Sequence, residues 1–342
     1  MNNYFRKTRN QFPRITSHRR GFHMCNRIQS RCLGTMLFGV ATVLLLAVSP
    51  AFALTTIDPA DGCAQTLGTA GEYVLTGDLN CSGTFGNGIN ITASNVIFHL
   101  AGHTISSTDC DLTKAISGIS VPGGSSNVLI DGGMVSGFND GILLYSSSSR
   151  VRGITATGAC AFGMAISGQD NQVDTSVVTG SHLDGIGIGS ASGIRIMAND
   201  ISGNFRVGVD ISNFSNNNTV AGNVINNNGI AAGEQGGVAI FNGTNNVIRG
   251  NTINNNFDGI LIDSSGNLVE QNTVNGSVGN GANGIGIAIN ASGASTIVRG
   301  NTVLGSSSAD MSDSNPGCGT DYWTNNTFQT AVVVGGSPGC IQ

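Results

Sequence analysis

Apolar residues along this chain come in short runs, broken by Gly, Asn and Ser, and the runs recur. The stretch Asn245-Asn246-Val247-Ile248-Arg249-Gly250-Asn251-Thr252-Ile253-Asn254-Asn255-Asn256-Phe257-Asp258-Gly259-Ile260-Leu261-Ile262 states the rule. One recurring element is Gly-Ile-x-Ile or a variant, at Gly118, Gly141, Gly163, Gly185, Gly208, Gly237, Gly259 and Gly284, at intervals of 23, 22, 22, 23, 29, 22 and 25 residues. The other is an Asn column at Asn199, Asn223, Asn251, Asn272, Asn301 and Asn326, each followed closely by Ile, Val or Phe. A period near 22 is the signature of a solenoid, in which each repeat buries its apolar face only by stacking on its neighbours. Ile and Val dominate the runs, and Gly, Asn and Ser break every run before it reaches helical length. Three short β segments per turn therefore fit better than a leucine-rich repeat. A hexapeptide β-helix is excluded because no six-residue apolar period exists. Within the quoted stretch, Val247, Ile260 and Ile262 are assigned to the stacked core, Asn251 to an amide ladder and Gly259 to a corner.

The same alternation begins earlier. In Asn95–Ile105, Val96, Phe98 and Leu100 are expected to point inward and Ile97 and His99 outward; His103 follows a turn glycine and is read as a turn residue. Residues 54–94 form an atypical entry segment, 95–310 the repeats and 311–342 a C-terminal cap. Caps are required because a stacked array otherwise leaves an open apolar end.

The first 53 residues differ from the rest. They hold eight of the fifteen Lys and Arg and no acid. The apolar run Met36–Val48 leads to Ala51-Phe52-Ala53. This is the layout of a secretory signal peptide, and the run is short for a membrane span. The expected location is extracellular, or periplasmic in a Gram-negative cell. Residues 54–342 carry seven bases against all twenty acids, a formal balance of −13. That argues against nucleic acid or an anionic membrane surface as partner. Six cysteines remain after cleavage: Cys63, Cys81, Cys110, Cys160, Cys318 and Cys340. In an exported chain they read as disulfides, with fifteen pairings open. Proximity favours Cys63–Cys81 and Cys318–Cys340 at the two ends, leaving Cys110–Cys160.

These repeats, the entry segment Tyr73-Val74-Leu75 … Asp78-Leu79-Asn80-Cys81 and the turn Leu100-Ala101-Gly102-His103-Thr104-Ile105 resemble the right-handed parallel β-helix proteins. That superfamily includes pectin lyases, polygalacturonases and NosD-like β-helix proteins. The resemblance spans roughly residues 70–330. It implies an all-β, single-stranded right-handed parallel β-helix of about ten coils with disulfide-pinned caps, and it leaves the reaction open. The linked motifs of polygalacturonases and the Asp cluster of pectate lyases are absent from this sequence.

Extra residues near Ile230–Gln235 and Ser277–Ala282 leave from one corner, just before the Gly-Ile-x-Ile strand, and solenoid insertions often mark a binding face. The corner carries Asp140, His182, Asp184, Arg206, Glu234 and Asp258. Asp210, Tyr145 and Phe241 face outward on the adjoining strand. Asp184, Glu234 and Asp258 are candidate acid/base groups, since carboxylates on neighbouring coils, about 4.8 Å apart per coil, reach spacings that suit glycoside cleavage. Arg206 and His182 are candidates for orienting a sugar; Asp140, Tyr145, Asp210 and Phe241 are candidates for binding one. Asp-Gly is also a common turn dipeptide, so the corner acids have a purely structural reading too. The functional expectation is a secreted monomer that binds, and as a lyase or hydrolase cleaves, an extracellular or envelope polysaccharide. A non-catalytic structural or surface-interaction rod is the alternative. No cofactor or metal is expected, and a bound calcium ion has no support in the pattern.

Overall fold

The computed structural model describes residues 53–84, 86–109, 116–230, 235–280, 283–336 and 338–342. Within them the chain winds as a parallel β-helix in which each coil returns to the same two sheets. Every pairing between named strands is parallel, and each joins a strand to its counterpart one coil away. A central coil consists of Ile186–Ser192, Arg195–Met197 and Asp200–Ser202. The first of these belongs to a sheet of twelve strands and the other two to a sheet of twenty. The twelve rungs slightly exceed the expected ten coils because Gln65–Leu67 and Ala331–Val333, outside the clear repeats, also stack.

Strands of three residues present one side chain inward and two outward, and the inward positions form vertical stacks. Ile196, Val220, Ile248, Val269, Val298 and Trp323 make one stack. Ile188, Ile211, Ile240, Ile262 and Ile289 make another. These side chains are almost wholly buried, and each contributes roughly 1.5–3 kcal/mol by leaving water. Val96, Phe98 and Leu100 are inward as expected, and Ile97 and His99 outward.

Two phase assignments need correction. Val247 lies on the outer face and Ile248 fills the core, because Asn246 and Asn251 fix the ends of a three-residue strand whose only inward position is its centre. The glycine stacked beneath Gly259 is Gly286, not Gly284: Ile260 pairs with Ile287 and Ile262 with Ile289. The reason is steric. A Cβ on Gly259 would stand 2.2 Å from the carbonyl oxygen of Gly286. The same clash recurs down the column, so this corner demands absence of a side chain rather than a left-handed backbone.

Buried asparagines hold the corners. From Asn199 through Asn223, Asn251, Asn272 and Asn301 to Asn326, each side-chain amide donates to the next Oδ1 at 3.0 Å. The Oδ1 of Asn251 also accepts the backbone N–H of Asn223, and its Nδ2 reaches the Val220 carbonyl at 2.9 Å. Two further ladders were not anticipated: Asn218–Asn246–Asn267 and Asn204–Asn228–Asn256. Each of the three corners of these coils thus carries one.

The ends are pinned. Cys63 bonds Cys81 and Cys318 bonds Cys340. Cys160 is buried, and Cys110 lies outside the described residues. At the C-terminal end the Ile262–Ile289 stack stops at Asp313, which accepts hydrogen bonds from Trp323 Nε1 at 2.8 Å and Asn315 N at 2.9 Å.

The long sheet's outer face carries an ionic row. His99 contacts Glu72 at 3.1 Å and Asp131 at 2.6 Å, and Arg152 reaches the other oxygen of Asp131 at 2.9 Å. Burial alone would lower the imidazole's proton affinity. The hydrogen bonds and charges of Asp131 and Glu72 outweigh it and raise the pKa.

Two outcomes follow. Asn251→Ala strands several buried donors and acceptors and should cost about 2–4 kcal/mol in denaturant unfolding, whereas exposed Thr252→Ala on the same coil should stay within about 0.5 kcal/mol. His99 contributes stability that is complete below its unfolded pKa, about 6.5, and is lost as pH rises through its higher folded value. Wild-type Tm should therefore fall across that window, and His99→Gln should flatten this part of the Tm–pH curve.

Candidate functional site

The outward side chains of the twelve-stranded sheet define the face next to the insertion corner. Its central column runs Leu143, Ala165, Gly187, Asp210, Ala239, Leu261, Ala288 and Ser312. Asp210 is the one ionisable group in that series. Around it the column drops to small residues, Ala165 and Gly187, and the drop makes a groove of about 380 Å³. Tyr145 and Phe162 line it, and Ser167, Ser190, Ser212 and Asn213 add neutral polar groups. Gly187 is required for the depth: a Cβ there would meet the Phe162 ring at 2.9 Å.

Asp210 sits with its carboxyl partly withdrawn from solvent. Burial pushes its pKa up to about 6, and the charge of Asp184 adds to the rise. A hydrogen bond from Ser212 and the Arg206 guanidinium oppose it. Tyr145 is 45% exposed, and its phenol pKa is raised by burial and by the charge of Asp140.

The corner acids are engaged with the backbone of the following coil. Asp140 Oδ1 accepts from Phe162 N at 3.3 Å. Asp184 Oδ1 accepts from Val207 N at 3.1 Å and lies 4.0 Å from Arg206 Nε. Asp258 Oδ1 accepts from Gly284 N at 2.6 Å and Ile285 N at 2.9 Å. Burial raises the pKa of Asp140 and Asp258 even so, and those backbone bonds offset part of the rise.

Of the residues singled out from sequence, the structure brings Tyr145 and Asp210 into one groove, with Asp140, Asp184 and Arg206 close enough to act on them electrostatically. His182 is elsewhere: its Nδ1 lies 3.3 Å from the Ala159 carbonyl oxygen, and it lines a separate hollow with Phe205 and Ile230. Phe241 is one rung past Ser212 and is not part of the groove lining. Asp258 lies two coils beyond Asp210. Glu234 falls outside the described residues. Phe162 and the neutral rim were missed in the sequence. A usable signal existed in Gly187, which puts a glycine where neighbouring coils carry larger outward residues. Among the described residues no group of three or more His, Cys, Asp and Glu is placed to hold a metal ion, and no helix is long and apolar enough to cross a membrane.

Comparison with known proteins agrees with this architecture. Residues 117–274 and 215–333 match the model for the right handed beta helix region, which together is more than half of the chain. The chain belongs to that family. No curated protein matches its sequence. Among solved structures it is similar to the Dettilon tailspike protein (gp208), with TM-score 0.64, 15% identity, and coverage of 82% of this chain and 61% of that one. It is also similar to the Agl-KA catalytic domain, with TM-score 0.62, 12% identity, and coverage of 84% and 61%. A third likeness is to tailspike protein 2 of the Escherichia coli O157:H7 bacteriophage CAB120, with TM-score 0.50, 16% identity, and coverage of 81% and 43%. The chain spans about three fifths of the length of the first two, and at these identities the likeness concerns fold.

An acid whose pKa is raised on folding favours the unfolded state once it must ionise. Stability assigned to Asp210 should thus fall as pH rises from about 4 through about 6. Asp210→Asn should stabilise the protein at pH 7 by roughly 1–2 kcal/mol, allowing for solvent screening, and by little at pH 4. Thermal unfolding at the two pH values measures the difference.

Proposed function

We propose that this is an exported β-helix protein that binds a polysaccharide strand along the outer face of its twelve-stranded sheet. The observation that carries the reading is the groove itself. It joins two aromatic rings, a floor of minimal side chains, a rim of neutral hydroxyl and amide groups, and one carboxyl that ionises late. Rings stack on the apolar faces of sugars while convergent polar groups fix their hydroxyls. Strands repeating about every 4.8 Å give an extended ligand a matching extended track. A rod serving only as a spacer has no use for a recess of this kind. Disulfides at the ends suit an oxidising compartment outside the cytosol.

One observation favours cleavage as a second reading. Asp210 keeps its proton to about pH 6, which suits donation to a glycosidic oxygen. In that case Asp184, buried and held by Val207 N and Arg206, is a positioning residue whose charge adds to the rise in Asp210 proton affinity that burial mainly causes. Glu234, one coil further along the sequence repeat and outside the described residues, is the sequence's candidate for the second carboxylate that glycoside cleavage requires.

Binding is tested on a glycan array and by calorimetry. Tyr145→Ala and Gly187→Val should weaken the retained glycan at least tenfold with circular dichroism unchanged. Unaltered affinity in both, or no retained glycan, overturns the binding reading. For cleavage, Asp210→Asn should abolish product while leaving binding within a few fold. Asp184→Asn keeps the acceptor for Val207 N and should move the alkaline limb of the pH–rate profile, where Asp210 loses its proton, to lower pH.

A further inference from the structure

We infer that the groove takes an uncharged polysaccharide and rejects uronate chains. The inference rests on the groove being a glycan site and names the class of glycan. Its basis is where the chain has put its bases. Six Arg lie among the described residues of the solenoid. Arg150, Arg152, Arg195, Arg249 and Arg299 all stand on strands of the twenty-stranded sheet. Three of these are paired there: Arg150 with Asp174 at 2.6 Å, Arg152 with Asp131 at 2.9 Å and Arg299 with Glu270 at 2.7 Å.

The groove is on the other sheet. Among the described residues no Lys, Arg or His lines it, and Asp210 is the only ionisable carboxyl that does. Arg206, whose charge reaches Asp210, lies 4.0 Å from the more deeply buried Asp184. Its charge is therefore largely matched before any ligand arrives. Asp140 is not in the lining, but its charge is felt at the Tyr145 phenol. A uronate carboxylate entering here would meet the charge of these acids and no unmatched guanidinium. Recognition of a carboxylate by protein normally relies on such a group, used bidentately. A bridging cation would need converging acids, and no cluster of three is present among the described residues. Uncharged sugars meet none of this opposition. Ser167, Ser190, Ser212 and Asn213 offer donors and acceptors without charge, and the two rings offer stacking surface.

The test is a binding panel of purified polymers. Dextran, laminarin and galactan represent neutral chains; polygalacturonate and alginate represent uronates. Each is measured at pH 5 and 8, at 20 and 300 mM salt, and the uronates also with added calcium, values chosen to span roughly a fourfold range of screening length. A neutral chain should bind with less than about a threefold response to salt, and both uronates should bind at least tenfold more weakly with or without calcium. Asp210→Arg, checked for folding by circular dichroism, should raise uronate affinity at least tenfold. Uronate binding as tight as any neutral chain, and lost in Tyr145→Ala, would overturn the charge-class inference while keeping the groove as the glycan site. Retention of neither class overturns the inference together with the reading beneath it.

Discussion

The structure depends on satisfying backbone that has been turned inward at corners. A solenoid coil must bend sharply three times, and at each bend peptide groups leave the sheet ladder while remaining buried. An unpaired buried N–H or C=O costs about 1–3 kcal/mol, a sizeable share of a net folding stability of about 5–15 kcal/mol. Asparagine solves this because its side chain is itself an amide. In the Asn199–Asn326 ladder, one oxygen accepts two donors from the coil before, and the amide nitrogen serves a neighbouring amide and a carbonyl. The three ladders act as surrogate strands at the corners, and the Ile and Val stacks between them are free to be simple.

The fold was legible because a solenoid repeats its decisions. One Gly-Ile-x-Ile and one Asn per turn, repeated at a period near 22, leave little room for another architecture. Errors of phase survived where local pattern was ambiguous. Val247 and Ile248 are both β-branched and both apolar, and only the fixed positions of Asn246 and Asn251 decide which faces in. Gly284 and Gly286 flank the same isoleucine, and only the close approach to Gly259 distinguishes them. The candidate site was less legible. Asp140, Asp184 and Asp258 look alike in sequence and behave alike in structure, each holding the next coil's backbone. Asp210 differs because of what is missing beside it, the side chain of Gly187, and a deficit on a neighbouring coil leaves no mark at position 210. Phe162 was overlooked for the same reason: its role arises from the rung below it.

Charge is also distributed by sheet. Ionic rows occupy the outer face of the long sheet, where His99, Asp131 and Arg152 neutralise one another across rungs. Among the described residues no Lys or Arg stands on a strand of the short sheet. The exposed ion pairs add little stability each. Their larger effect is to leave two faces of one rod with different electrostatic character, so that a ligand's charge as well as its shape decides where it settles.

The glycine column has a consequence for how such a chain changes over time. Along that corner, from Gly118 to Gly286, a Cβ would strike the neighbouring carbonyl oxygen on the next rung, so point substitutions there are penalised almost uniformly. Whole coils are not, because a duplicated unit brings its own glycine, its own asparagines and its own core residues in register. Such a protein lengthens or shortens by copying cassettes of about 22 residues far more readily than it rewrites any one of them.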